Sequence, residues 1–147
     1  MSDTAEEAWM SASFEEKSVW MQLVATAGVL GAYFVVAGRM YAVGVRHLVP
    51  YVPLFAVAVV ALAAVLAVGH IAAVVVSRPE GRDERDRLIG WRAESNSGWI
   101  LAAGVVLAIM GMIASYDDVV IAHLLLLSLL VSQLTAFVLQ LVYYRRG

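Results

Sequence analysis

The chain has no cysteine. Disulfides, thiolate metal sites and cysteine nucleophiles are therefore excluded. Charge is scarce: 15% of residues are Asp, Glu, Lys or Arg, and the formal net charge is −2. Without a basic excess, no nucleic-acid partner is expected. Proline is scarcer still, and Pro50, Pro53 and Pro79 all lie outside the middle of any apolar run. No Asp or Glu falls inside those runs either. Proton-coupled transporters carry a carboxylate within the bilayer or a helix broken near its midplane, so a self-contained transporter is disfavoured. The opening residues Met1-Ser-Asp-Thr-Ala-Glu-Glu7 are acidic and lack the basic start of a secretory signal. Residue 2 is Ser, and no cysteine is present for prenylation. The first apolar helix is expected to stay in the mature protein.

What is abundant is apolar surface. Hydrophobic residues make up 62% of 147 residues, and the mean hydropathy is +0.81. Soluble domains are about 45–50% apolar, and a chain this size cannot hide such an excess in its own core. A spanning helix needs about 20 mostly apolar residues. Four stretches qualify. Ser18 to Gly38 lies between Lys17 and Arg39, and Leu48 to Ser77 between Arg46 and Arg78. Ser95 to Tyr116 lies between Glu94 and Asp117, and Val119 to Tyr144 between Asp118 and Arg145. The expected fold is an all-α membrane protein, one domain over residues 1–147, with four transmembrane helices as two antiparallel hairpins. A cytoplasmic loop over 78–94 joins them.

Local signals mark the helix ends. Ser13-Phe-Glu-Glu16 is a capping box. Pro50 and Pro53 fit a helix's first turn, where no intrahelical N–H bond is lost, and Pro79 follows the end of the second span. Asp117-Asp118 leaves only a tight connection between the third and fourth helices. Trp20, Trp99, Tyr116, Tyr143 and Tyr144 lie near span ends, as an aromatic belt requires. One side of the membrane receives Lys17, Arg78, Arg82, Arg85, Arg87, Arg92, Arg145 and Arg146; the other receives Arg39 and Arg46. The positive-inside rule then puts both termini and the 78–94 loop in the cytoplasm. The expected location is the cell membrane.

Helix association in lipid relies on close packing and polar contacts. Small residues four apart occur in the first helix (Ala27/Gly31, Gly28/Ala32) and the third (Gly98/Ala102, Gly104/Ala108, Gly111/Ser115). They mark helix contacts, within the chain or between copies, or reflect the abundance of Gly and Ala in spans. The second helix is rich in Val and Ala all round and reads as the most lipid-exposed. In the fourth, Ser128, Ser132 and Thr135 share one face, and Gln133 and Gln140 a neighbouring one. Such groups either hydrogen-bond between helices or line a polar path.

The segment Arg82-Asp-Glu-Arg-Asp-Arg-Leu-Ile-Gly-Trp-Arg-Ala-Glu94 alternates charge at helical spacing: Arg82 with Asp86, Asp83 with Arg87, Glu84 with Arg87. It reads as a short helix on the membrane surface or one continuing into the third span. Arg82, Asp83, Glu84, Arg85, Asp86 and Arg87 are candidates for docking a cytoplasmic partner, against the plainer role of a solvated, topology-fixing linker. The run Asp83-Glu84-Arg85-Asp86-Arg87, then Ile89, then Arg92-Ala93 before a span resembles the signature loop of a bacterial and archaeal family of small multi-pass membrane proteins of unknown function. The likeness covers roughly residues 80 to 115 and differs at Gly90-Trp91 and at Ser95-Asn96-Ser97-Gly98. It implies a multi-pass membrane protein and no particular activity.

Ionisable residues inside spans are functional candidates, and here they are His70 and His123. They belong to opposite leaflets, which disfavours paired haem ligation. His47 and His123 with Asp117 and Asp118 are metal-capable residue types, but no ligand spacing joins them. Small multidrug exporters also have four spans, yet they rely on a glutamate in the first helix, where this chain has only Gln22 and Thr26. No nucleophile elbow or phosphate-binding loop is present. The expectation is a non-enzymatic accessory, regulatory or scaffold component without a cofactor. Membrane lipids surround it, and its partner is a second copy or another membrane or cytoplasmic protein. The competing reading is an oligomeric channel or transport subunit with the fourth-helix polar face as its lining.

Overall fold

A computed structural model describes residues 14–76 and 84–146. The chain forms α1 (Phe14–Ala42), a 3-10 turn (Val49–Tyr51), α2 (Val52–Val76), α3 (Glu84–Ile113) and α4 (Asp118–Arg146). All four α-helices are long and apolar enough to cross a membrane, and no strand occurs among the described residues. Ser13 of the expected capping box, Pro79, and Arg82 and Asp83 of the charged segment lie outside the described residues. So does the side chain of His70, whose backbone belongs to α2.

The prolines act where their chemistry allows. Pro50 sits in the 3-10 turn and Pro53 is the second residue of α2, so neither breaks a helix interior. Residues 84–94, read from the sequence as a short helix on the membrane surface or one continuing into the third span, take the second form and run straight into α3. Alternating charges at neighbour spacing and the lack of any proline carry that helix beyond its apolar run. α1 and α3 end alike. The Val45 N–H bonds to the Met40 carbonyl and the Gly44 N–H to that of Tyr41, with Gly44 at φ 94°. The Tyr116 N–H bonds to the Gly111 carbonyl and the Ser115 N–H to that of Met112, with Ser115 at φ 58°. Both are Schellman caps, which satisfy the last carbonyls of a helix. Ser115 is therefore a capping residue, not half of a packing pair with Gly111.

α4 lies at the centre of the packing. α3 makes the most extensive contact with it, α1 covers another side, and α2 leans on α1. The buried positions of α3 are Ile89, Ala93, Ser97, Gly104 and Ala108, spaced by fours and sevens on one face. The closest approach is at Gly104, where an added Cβ would collide with the Cβ and hydroxyl of Ser128. The first-helix stripe is not used this way: Cβ atoms at Gly28 or Gly31 would meet nothing within 4 Å. α2 is the barest helix, with 6% of its apolar window buried against 28% for α4.

The two ends of the bundle are tied differently. At the turn end, the Tyr41 hydroxyl donates to Asp117 Oδ2 (3.1 Å). Arg46 stacks on the Tyr41 ring, 3.6 Å from its centroid, and lies 3.6 Å from Asp117. At the terminal end, Arg145 pairs with Glu16 at 3.6 Å, and Asn96 Nδ2 donates to the Tyr143 hydroxyl at 2.9 Å. An exposed pair such as Arg46–Asp117 contributes about 0–1 kcal/mol, so packing at Gly104 carries more weight. Gly104→Ala is expected to destabilise the bundle by about 1–3 kcal/mol through overpacking. Gly69→Ala is the contrast, because its added Cβ meets the end of the Met21 side chain, which can swing aside. Thermal unfolding in mild detergent checks both: Gly104→Ala melts earlier, Gly69→Ala close to wild type.

Candidate functional site

At the terminal end, α1 and α3 stand apart over α4 and leave a polar crevice of about 420 Å³. Its floor is Gln133, Phe137, Gln140 and Tyr144 of α4, spaced 4, 3 and 4 apart on one stripe. One wall is Val19 and Gln22 of α1; the other is the opening turns of α3, with Asp86, Arg87 and Glu94. Gly90 and Trp91 complete that wall. Two clusters that the sequence keeps some 45 residues apart, the charged segment and the glutamine face, thus share one cavity. Carboxylates accept, the guanidinium donates, and the glutamine amides do both. The lining suits recognition of a polar or charged group. Gln22 is partly engaged, its Nε2 donating to Ser18 Oγ at 3.2 Å.

The stripe continues toward the turn end. Ala122, Leu126 and Leu129 lie 11, 7 and 4 residues before Gln133 on the same face and line an apolar groove with Phe55 of α2 and Leu101 of α3. One uncovered face of α4 therefore runs from apolar to polar along its length.

The hydroxyls of α4 lie elsewhere. Ser128 and Ser132 are buried against α3. Ser132 Oγ donates to the Ser97 carbonyl at 3.0 Å, a bond between helices. Ser128 Oγ donates to Leu125 O (2.8 Å) and Thr135 Oγ1 to Val131 O (2.7 Å), both within α4. The structure separates the expected polar face by chemistry: hydroxyls bond to backbone, and glutamines line the crevice.

His123 belongs to neither. Its Nδ1 lies 2.7 Å from the Val119 carbonyl and its Nε2 3.0 Å from the Tyr33 hydroxyl. A carbonyl only accepts, so Nδ1 carries a proton; in the neutral imidazole Nε2 is then the acceptor for the Tyr33 hydroxyl. Tyr33 stacks parallel on the imidazole (8° between planes) and Tyr51 meets it edge-on at 4.9 Å between centroids. Tyr51 is itself fixed, its hydroxyl donating to the Val45 carbonyl at 2.9 Å. Both tyrosines are buried. This cluster joins α1, the 3-10 turn and α4. The sequence singled out His123 but gave no sign of Tyr33 or Tyr51, because partners 90 and 72 residues away share no local pattern with it. Asp117 is engaged by Tyr41 and Arg46. No group of three His, Cys, Asp or Glu residues converges as metal ligands would, among the described residues.

Tyr33→Phe keeps the ring stack and removes the donor to Nε2. A loss of about 1 kcal/mol is expected, read as earlier thermal unfolding in detergent. Tyr41→Phe, at the exposed turn end, is expected to change unfolding less. No family model, no curated protein and no solved structure matches this chain.

Proposed function

We propose that the chain is a cell-membrane protein of four spans, arranged as two antiparallel hairpins with both termini in the cytoplasm. Its role is that of a non-enzymatic accessory or regulatory component. In this reading, the terminal-end crevice opens to the cytoplasm and receives a polar or charged segment of a protein partner. The observation that carries it is the meeting of Asp86 and Arg87 with Gln133 and Gln140 in one cavity. A charged, amide-lined recess at a membrane surface offers directional hydrogen bonds and lies where a soluble segment can reach it. The bias of basic residues supports the orientation, and the loop resemblance agrees with a multi-pass protein without assigning an activity.

The competing reading, an oligomeric channel or transport subunit, draws on the same α4 stripe. It requires copies to assemble around Gln133 and Gln140, since Ser128 and Ser132 already face α3.

The cysteine-free chain is a ready background for a topology test. Gly44→Cys is expected to react with a membrane-impermeant maleimide in intact cells, and Gly147→Cys only after lysis; the reverse pattern would overturn the orientation. Native mass spectrometry of the purified protein then separates the roles. A defined complex with a second protein, lost in Asp86→Ala/Gln140→Leu, is the expected result. A symmetric homo-oligomer whose liposome flux falls in Gln133→Leu/Gln140→Leu would replace it with the channel reading.

A further inference from the structure

α3 carries a second pocket on the side away from the crevice. It is lined by Arg85, Leu88, Ile89 and Arg92 of α3 and by Tyr143 and Arg146 of α4, and encloses about 370 Å³. We infer that this pocket is a site for the phosphodiester headgroup of an anionic phospholipid. The inference rests on the membrane placement proposed above, but not on which leaflet the terminal end occupies.

The site is assembled by helix geometry. Arg85 and Arg92 are seven residues apart, so they share a face about 10 Å apart along the axis. α4 ends beside them. Asn96 holds Tyr143 at 2.9 Å, which brings Arg146, one turn on, into the same lining. Arg145 is turned elsewhere, to Glu16. Three guanidiniums thus border one small space, and no ion pair to a carboxylate engages any of them among the described residues. Three like charges around one space repel one another, and an anion relieves that repulsion.

The chemistry fits a phosphate group. Guanidinium forks bind its oxygens through paired N–H bonds. Tyr143 Oη accepts from Asn96, so its own proton remains to donate. The volume is at the small end of ligand sites, about 300–1,000 Å³, as a headgroup needs.

Two features select a lipid over free phosphate. Between the arginines lies Leu88, 49% exposed, over the buried Ile89. A free ion gains nothing from the Leu88 side chain, whereas the glycerol and upper acyl carbons of a lipid cover it. The pocket also lies where both helices pass from apolar run to charged end. Trp91 and Trp99, 71% and 68% exposed on α3, are residues that settle at the interface. Basic pockets between helices at this level are headgroup sites by general physical expectation.

The test uses the full chain, purified in mild detergent, delipidated and titrated with phosphatidylglycerol or phosphatidylcholine under native mass spectrometry. Wild type is expected to retain phosphatidylglycerol over phosphatidylcholine by about tenfold, equivalent to about 1.4 kcal/mol. Arg85→Gln/Arg92→Gln/Arg146→Gln is expected to lose the preference. Lys17→Gln/Arg87→Gln/Arg145→Gln, with the same net charge, is expected to keep it. Equal retention by the two triple variants would overturn the site, as would equal retention of both lipids by wild type. Inorganic phosphate binding delipidated wild type as tightly as phosphatidylglycerol does would overturn the lipid source. Should the pocket triple variant lack a cooperative unfolding transition, Arg92→Gln alone serves, with a severalfold drop expected and an unchanged preference counting against the site. A failed cysteine-labelling pattern would leave these results standing, so the two ideas fall separately.

Discussion

The close approach of α3 to α4 at Gly104 and Ser128 governs the rest of the molecule. In lipid, tight backbone approach substitutes for the hydrophobic drive that water supplies. A glycine opposite a small hydroxyl residue brings the two helices near enough for Ser132 to reach the Ser97 carbonyl. That contact draws α3 to one side of α4 while α1 occupies another. The face left between them becomes the crevice at one end and the apolar groove at the other. Both cavities follow from an asymmetric use of one helix.

The serine and threonine hydroxyls and the imidazole of α4 share one rule: each bonds to backbone or to a specific side chain. A hydroxyl or imidazole in hydrocarbon costs several kcal/mol unless paired. Among the described residues no buried side-chain nitrogen or oxygen lacks a partner. Ser128, Ser132 and Thr135 meet that demand with carbonyls, and His123 with a carbonyl and Tyr33. His123 illustrates the economy of the arrangement. One backbone bond sets its tautomer, and the tautomer decides which nitrogen is left to accept from α1. A residue that looks functional by its rarity in a span is, here, a joint between helices.

The four helices were legible in the sequence because the apolar runs have the length a bilayer demands, and because proline and charge sit only at their ends. The Gly104/Ala108 pair was legible as a contact because small residues permit close approach, and both are buried in α3. The first-helix stripe carries the same pattern, yet Cβ atoms at Gly28 and Gly31 would meet no neighbour within 4 Å among the described residues; composition cannot say which small residues meet a helix. The glutamines were visible as a face, but what they face depends on α3 extending back to Glu84. The charged segment was read as a surface helix or a continuation of the third span, and only the continuous form fixes its side chains relative to α4. Tyr33 and Tyr51 had no local signal at all.

That helical extension has a consequence for the charged segment, which the sequence presents as one block of alternating sign. On a helix, Arg85, Leu88, Ile89 and Arg92 fall on one side, while Asp86, Arg87, Gly90 and Glu94 fall on the other. The two sets line different pockets. One side is basic with an apolar base; the other is of mixed sign beside glutamines. Alternation therefore does more than stabilise the helix through neighbour pairs. It lets a single short stretch present an anion-attracting surface toward lipid and a balanced, hydrogen-bonding surface toward the crevice. A loop would average these charges into one solvated cloud; the helix keeps them apart and gives each face its own chemistry.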